Sequence, residues 1–180
     1  MKIYELDQTL NYLSGCSVEQ FTVYNQYAAV ALDKFHKGSK AQINFNLDNT
    51  DSNAILEWNS KFPKGGMKED TEIANFGGVA LAFFVMSVLS GYGYVEQTEI
   101  GDGVDYAFRI TEPKDDDLNF LDDSHYVEIS GILEEKGGNT LKKRIKSKHN
   151  QINRGRKSSK SSSVIVTLFS EPKSVREIHI

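Results

Sequence analysis

The spacing of apolar residues changes several times along the chain, and each change marks an expected element. In residues 41–47, Ala41, Ile43, Phe45 and Leu47 alternate with Gln42, Asn44 and Asn46, the two-residue period of a strand with one buried face. Residues 1–60 are otherwise ambiguous between strand and helix; the apolar, aromatic stretch 21–35 is expected to pair with that strand. FPKGG at 62–66 reads as a loop. Residues 73–95 then carry no charge at all. Their length would span a bilayer, yet Ser87 interrupts the apolar heart, Asn75, Gly77, Gly78, Ser90, Gly91 and Gly93 flank it, and no basic cluster marks an end. A buried core helix is the expected form. It would start near Asp70 or Thr71, carry Glu72 in its first turn and stop at Gly91.

Strand periods follow at 94–100 and 104–110, with Gly101-Asp102-Gly103 as the turn of a hairpin, and again at 126–133. A helix is expected over about 140–153 and a buried strand over 164–169, with the Ser-rich 158–163 as connector. Helix, strand, strand, strand, helix, strand implies an α/β fold, an α+β mixed sheet with helices on its faces. The 180 residues suit one domain. It would consist of an N-terminal β-rich extension over 1–66 and a core over 70–170.

The net charge of -4 conceals a segregation. Residues 141–160 hold nine Lys or Arg (Lys142, Lys143, Arg144, Lys146, Lys148, Arg154, Arg156, Lys157, Lys160) and no acid, so the remainder of the chain stands at -13. Basic density of that kind is the footprint of a surface that grips a phosphate backbone, and a solvated loop balancing the acidic remainder is the plainer reading. Residues 112–123 are acid-rich and read as a solvated loop; their spacing lacks the alternation and closing Glu of a calcium loop. The one cysteine, Cys16, cannot form an internal disulfide or a Cys-based zinc site, and the opening residues lack the apolar run of a secretory signal. A reducing, cytoplasmic setting is expected. His36, His125, His149 and His179 lack zinc-site spacing and read as surface residues, while Trp58, Phe62 and the tyrosines read as core.

Two acids stand out because they fall inside strands. Asp105 is expected to share a face with Ala107 and Arg109, while Val104, Tyr106, Phe108 and Ile110 point to the core; Glu128 shares a face with Tyr126 and Ser130. A carboxylate in such surroundings is costly unless its charge is compensated. A Mg2+ or Mn2+ ion bridging Asp105 and Glu128 would compensate both and keep waters for chemistry.

With "GDGVDYAF" and "HYVEISGI" set in that order of elements, residues 70–170 resemble the PD-(D/E)XK nuclease superfamily, the restriction-endonuclease-like fold. The resemblance matches Asp105 to the family's strand aspartate, Glu128 to its following acid, and Glu72 to an additional acid on the preceding helix. It implies Mg2+- or Mn2+-dependent hydrolysis of nucleic-acid phosphodiesters, DNA ahead of RNA, in a bacterial defence or DNA-processing system. The family's Lys two residues after the acid is Ser130 here, and a hydroxyl cannot replace an ammonium near developing negative charge. Lys148 or Lys142 from the following helix, or Gln151 as a polarising group, would have to fill the role; otherwise the site is inactive. The segments at 71–72, 101–105 and 127–131 also look like short bacterial proteins of unassigned activity.

Three functions therefore compete. One is a nuclease whose basic residues Lys142, Lys143, Arg144, Lys146, Arg154, Arg156 and Lys157 hold the backbone. A second is a catalytically inactive subunit that binds nucleic acid or a partner protein, and a third is an interaction protein with an acidic partner or its own second copy. No membrane partner is expected. At this length a sequence-specific enzyme would need a homodimer or a partner subunit.

Overall fold

The computed structural model describes residues 1–114 and 123–180. They form one eight-stranded mixed sheet, in the order β1-β3-β2-β8-β7-β6-β5-β4, with two helices on one face and one on the other. The strands are β1 (Lys2–Glu5), β2 (Lys40–Leu47), β3 (Thr50–Glu57), β4 (Tyr94–Gln97), β5 (Tyr106–Arg109), β6 (His125–Ile132), β7 (Ser162–Leu168) and β8 (Lys173–His179). The helices are α1 (Val18–Asp33), α2 (Asp70–Phe84) and α3 (Leu141–Arg154). A 3₁₀ segment Leu6–Asn11 follows β1. The expected α/β class with a mixed sheet is what forms, and α2, β4, β5, β6, α3 and β7 follow the expected order.

Residues 21–35 do not pair with β2; they lie almost entirely in α1. Phe21, Asn25, Ala28 and Leu32 recur at helical spacing and are buried, and the Ser17 hydroxyl caps the helix by accepting from the Gln20 amide at 3.2 Å. The partner of β2 is β3. The two are joined at Asp48 and Asn49, whose φ angles of +52° and +69° suit the tight turn that matches strand twist. The last strand, β8, was not anticipated. It enters between β2 and β7, and Arg176 fastens it by donating to Asp48 Oδ2 (3.1 Å from Nε) and to Ser90 Oγ (2.7 Å).

The uncharged stretch is the core helix α2, continued by a π-helical turn at Val85–Leu89. Among the described residues, one helix, Asp70–Leu89, is long and apolar enough to cross a membrane, and most of it is buried between α1 and the sheet. Its glycines allow the closeness: Gly77 faces Ala28 of α1, and Gly78 faces Ser130 and Gly131 of β6. Phe83 then seats edge-on against Phe21, Tyr106 and Phe108, with ring centroids 4.9 to 5.7 Å apart.

On the other face α3 starts at its cap Thr140 and lays Ile145 and Ile152 on a smaller cluster containing Tyr126, Val164, Val166, Leu168 and Val175. Ser162 and Ser163, read as connector, are buried in β7. The acid-rich 112–123 reading falls largely on residues 115–122, outside the described residues.

Candidate active site

Because β6 lies inside the sheet with a parallel neighbour, both of its faces are covered. Val127 and Ile129 join the core under α1 and α2, while Tyr126, Glu128 and Ser130 turn toward α3. Glu128 thus enters a fully buried position, with no side-chain exposure. Asp105 lies one residue before β5, and continuing the Tyr106–Val127 register brings it opposite Glu128. Its amide donates to Val127 O at 2.9 Å, and its Oδ2 accepts from the Ile129 amide at 2.7 Å. The carboxylate therefore satisfies a backbone donor of β6 at the point where β5 begins to peel away.

The cation comes from α3. Lys148 Nζ donates to Glu128 Oε1 and also to Gln151 Oε1 at 3.3 Å. The second carboxylate oxygen, Glu128 Oε2, is buried and receives no hydrogen bond among the described residues. Burial, then the neighbouring charge of Asp105, push the Glu128 carboxyl up to about 8, against the pull of Lys148. Asp105 and Glu128 share an excess of negative charge that one ammonium does not cancel, and a proton or a cation at the free oxygen removes the remainder. The described residues contain no group of three or more His, Cys, Asp or Glu side chains positioned for a metal ion. Two carboxylates with an unused buried oxygen suit a hard divalent ion that takes its other ligands from water or phosphate, so Asp105 and Glu128 are compatible with Mg2+ or Mn2+.

Of the other expected site residues, Gln151 and Lys148 are brought to the pair, and Glu72 is not. Glu72 is exposed in the first turn of α2, on the opposite face of the sheet from Glu128, because residues alternate sides along β6 and α2 packs on the Val127–Ile129 side. Lys142 projects from the other flank of α3. Ser130 Oγ is 3.4 Å from the Arg144 guanidinium, which also donates to Asn139 Oδ1 at 2.7 Å. Arg144 is thus a second cation leaning over the strand where the motif Lys is absent.

The basic residues are not one uniform surface. Arg156 pairs with the buried Asp102 at 3.0 Å and donates to Ile100 O at 2.9 Å, holding the 98–105 connection against the end of α3, and Lys157 sits 5.2 Å over the Tyr126 ring. Lys142, Lys143, Lys146 and Arg154 remain exposed along α3. Two strand readings also change: Val104 packs with Ala107 on the α3 side, and Ile110 is exposed, because β5 begins only at Tyr106 and ends at Arg109.

The histidines are more organised than their spacing suggested. His149 and His179 stack with centroids 5.1 Å apart and their Nδ1 atoms 2.8 Å apart, and His149 Nε2 lies 3.3 Å from Glu177. Pairing of α3 with β8 brings them together, and β8 was not expected. His125 is held between Ser161 and Ser163, and burial together with the charge of Arg176 lowers it to about 4.

Opposite pH dependences follow. Between about 4.3 and 8 the folded chain keeps a proton on Glu128 that the unfolded chain has lost, so stability falls as pH rises. Between about 4 and 6.5 the unfolded chain protonates His125 and the folded chain does not, so stability rises with pH. Of these two groups Glu128 alone acts above about 6.5, and denaturant titrations without metal should lose about 2 kcal/mol between pH 6.5 and 8. Glu128→Gln should flatten that slope; a slope that survives the substitution assigns it elsewhere.

Compared with known proteins, the chain matches no family model, no curated protein and no solved structure.

Proposed function

We propose that this chain is a metal-dependent phosphodiesterase acting on nucleic acid, DNA ahead of RNA, with a restriction-endonuclease-like core built from α2, β4, β5, β6, α3 and β7. The observation that carries the reading is Lys148: the ammonium missing two residues after Glu128 is delivered to Glu128 from the next helix. Asp105 and Glu128 would hold Mg2+ or Mn2+. Such an ion polarises a phosphoryl oxygen and lowers the pKa of an attacking water.

The chain's own groups do the rest. Glu128 anchors Lys148, and Gln151 accepts a second hydrogen bond from the same ammonium, which fixes its direction. An ammonium so held orients a water and stabilises charge that develops on phosphate oxygens. Asp105 stays fixed in direction because its Oδ2 is committed to the Ile129 amide. Lys142, Lys143, Lys146 and Arg154 supply backbone contacts.

Incubating plasmid and short single strands with the protein in Mg2+ or Mn2+ tests this. Cutting is expected that stops with EDTA and in Asp105→Asn and Glu128→Gln. Cutting that survives both substitutions would overturn the site.

One observation favours the second reading, an inactive subunit that binds nucleic acid or a partner. Glu128 already has a cation partner without any ion, and Arg144 and Arg156 are engaged within the chain. That reading predicts no cutting but salt-sensitive binding, lost when Lys142, Lys143 and Lys146 are neutralised.

A further inference from the structure

Alpha helix α3 has two flanks, and the flank away from Glu128 opens onto a separate cleft of about 590 Å³ between the helix, β8 and the β2–β3 turn. The cleft has the volume of a small-ligand site. Leu141, Ile145 and Val175 give it an apolar floor. Lys142, Lys146 and Lys173 stand around that floor, and Lys142 and Lys146 form no ion pair among the described residues. One acid, Glu177, lines the cleft, 3.3 Å from His149, and against that single carboxylate the lysines leave a net positive field. Asn46, Asn49 and Asn150 complete the rim. The Asn46 side-chain amide donates to Asp51 Oδ1 at 3.0 Å.

The geometry points to a nucleotide-binding site on this flank of α3, taking either a free nucleotide or one unit of a strand. An apolar strip ringed by ammonium groups calls for a ligand with a flat, uncharged body and an attached anion. Amides at the rim supply the donors and acceptors that a base edge needs, and the lysines supply the phosphate contacts. An inorganic anion would use the lysines and waste the floor; a neutral ring would do the reverse. The site is independent of Asp105, Glu128 and Lys148, which lie on the other side of the helix.

Binding is measured on the full chain in EDTA, which prevents cutting, at fixed salt. The probes are thymidine monophosphate, a labelled short oligothymidylate, and an abasic oligomer of the same length. The oligothymidylate should bind about tenfold more weakly to Lys142→Ala/Lys146→Ala/Lys173→Ala than to the parent, and Asn150→Ala should weaken it without altering the abasic oligomer. Saturable monophosphate binding lost in the triple variant identifies a free-nucleotide site, and oligomer-only binding identifies a strand unit. Unchanged oligomer binding in the triple variant, equal binding of the abasic oligomer, or no binding of any probe overturns the site. Asp105→Asn separates the two proposals: loss of cutting with nucleotide binding intact is the expected result, and absence of cutting in the parent would remove the catalytic reading while leaving this one standing.

Discussion

Under the proposed function, replacing Lys148 by alanine is expected to lower metal-dependent cutting by about 10² to 10³-fold, the usual cost of losing one preorganised charged group at a reacting centre. The substitution also leaves Glu128 buried without its cation. That is tolerated better than most broken buried pairs, since the carboxyl is already held near 8 and takes up a proton in place of the ammonium. Lys148→Ala should therefore fold, with unchanged circular dichroism and a modest loss of melting temperature. Lys148→Ala/Glu128→Gln removes both halves of the pair and serves as the control for packing. A role in the chemistry also predicts that kcat falls while binding of the nucleic acid in EDTA is unchanged, a split that a purely structural lysine would not produce. Retention of cutting within about threefold of the parent would show that Lys148 takes no part in the chemistry.

Gly131→Ala is expected to be strongly destabilising. A Cβ at that position would lie 1.8 Å from Ala74 O and 2.6 Å from Ala74 C, both backbone atoms of the core helix. No rotamer change relieves such an overlap; α2 and β6 would have to move apart. Because α2 carries Phe83, which seats against Phe21 of α1 and Tyr106 and Phe108 of β5, that movement loosens the main core. A cost of about 3 kcal/mol or more and a fall in Tm of about 10 °C should follow, read by thermal melting and denaturant titration. Gly65→Ala provides the contrast, since its Cβ would enter open space and should change stability by no more than about 0.5 kcal/mol. A Gly131→Ala protein as stable as the parent would contradict the close approach of α2 to β6.

The strands and helices of the second half were legible because their periods are local. Alternation in residues 126–133, the helix over about 140–153 and the uncharged helix each declare themselves within about two dozen residues. Residues 21–35 misled because alanines and tyrosines blur the difference between a buried strand and a helix with a small-residue face. The acid pair was legible through the oddity of charge inside apolar runs. Its cation was legible only as a choice, since nothing in spacing alone separates Lys148 from Lys142; the rotation of α3, fixed by Ile145 and Ile152, turns one toward Glu128 and the other away. The placement of Glu72 on the other face of the sheet from Glu128 was not legible, because sequence order does not say which face of a sheet a helix covers. The stacking of His149 on His179 depends on β8, which forms a hairpin with β7 but takes its other partner, β2, from more than a hundred residues away.

The position of β8 also bears on how the protein is made. On the ribosome, the chain emerges with β1, β2 and β3 first and β4 to β7 later, and the strand that joins the two sets emerges after both. Until residues 173–179 clear the exit tunnel, β2 and β7 each present an unpaired edge, the kind of surface that invites wrong partners. The sheet can close only after β8 has emerged, so shielding of those two edges in the interval is a requirement of this topology.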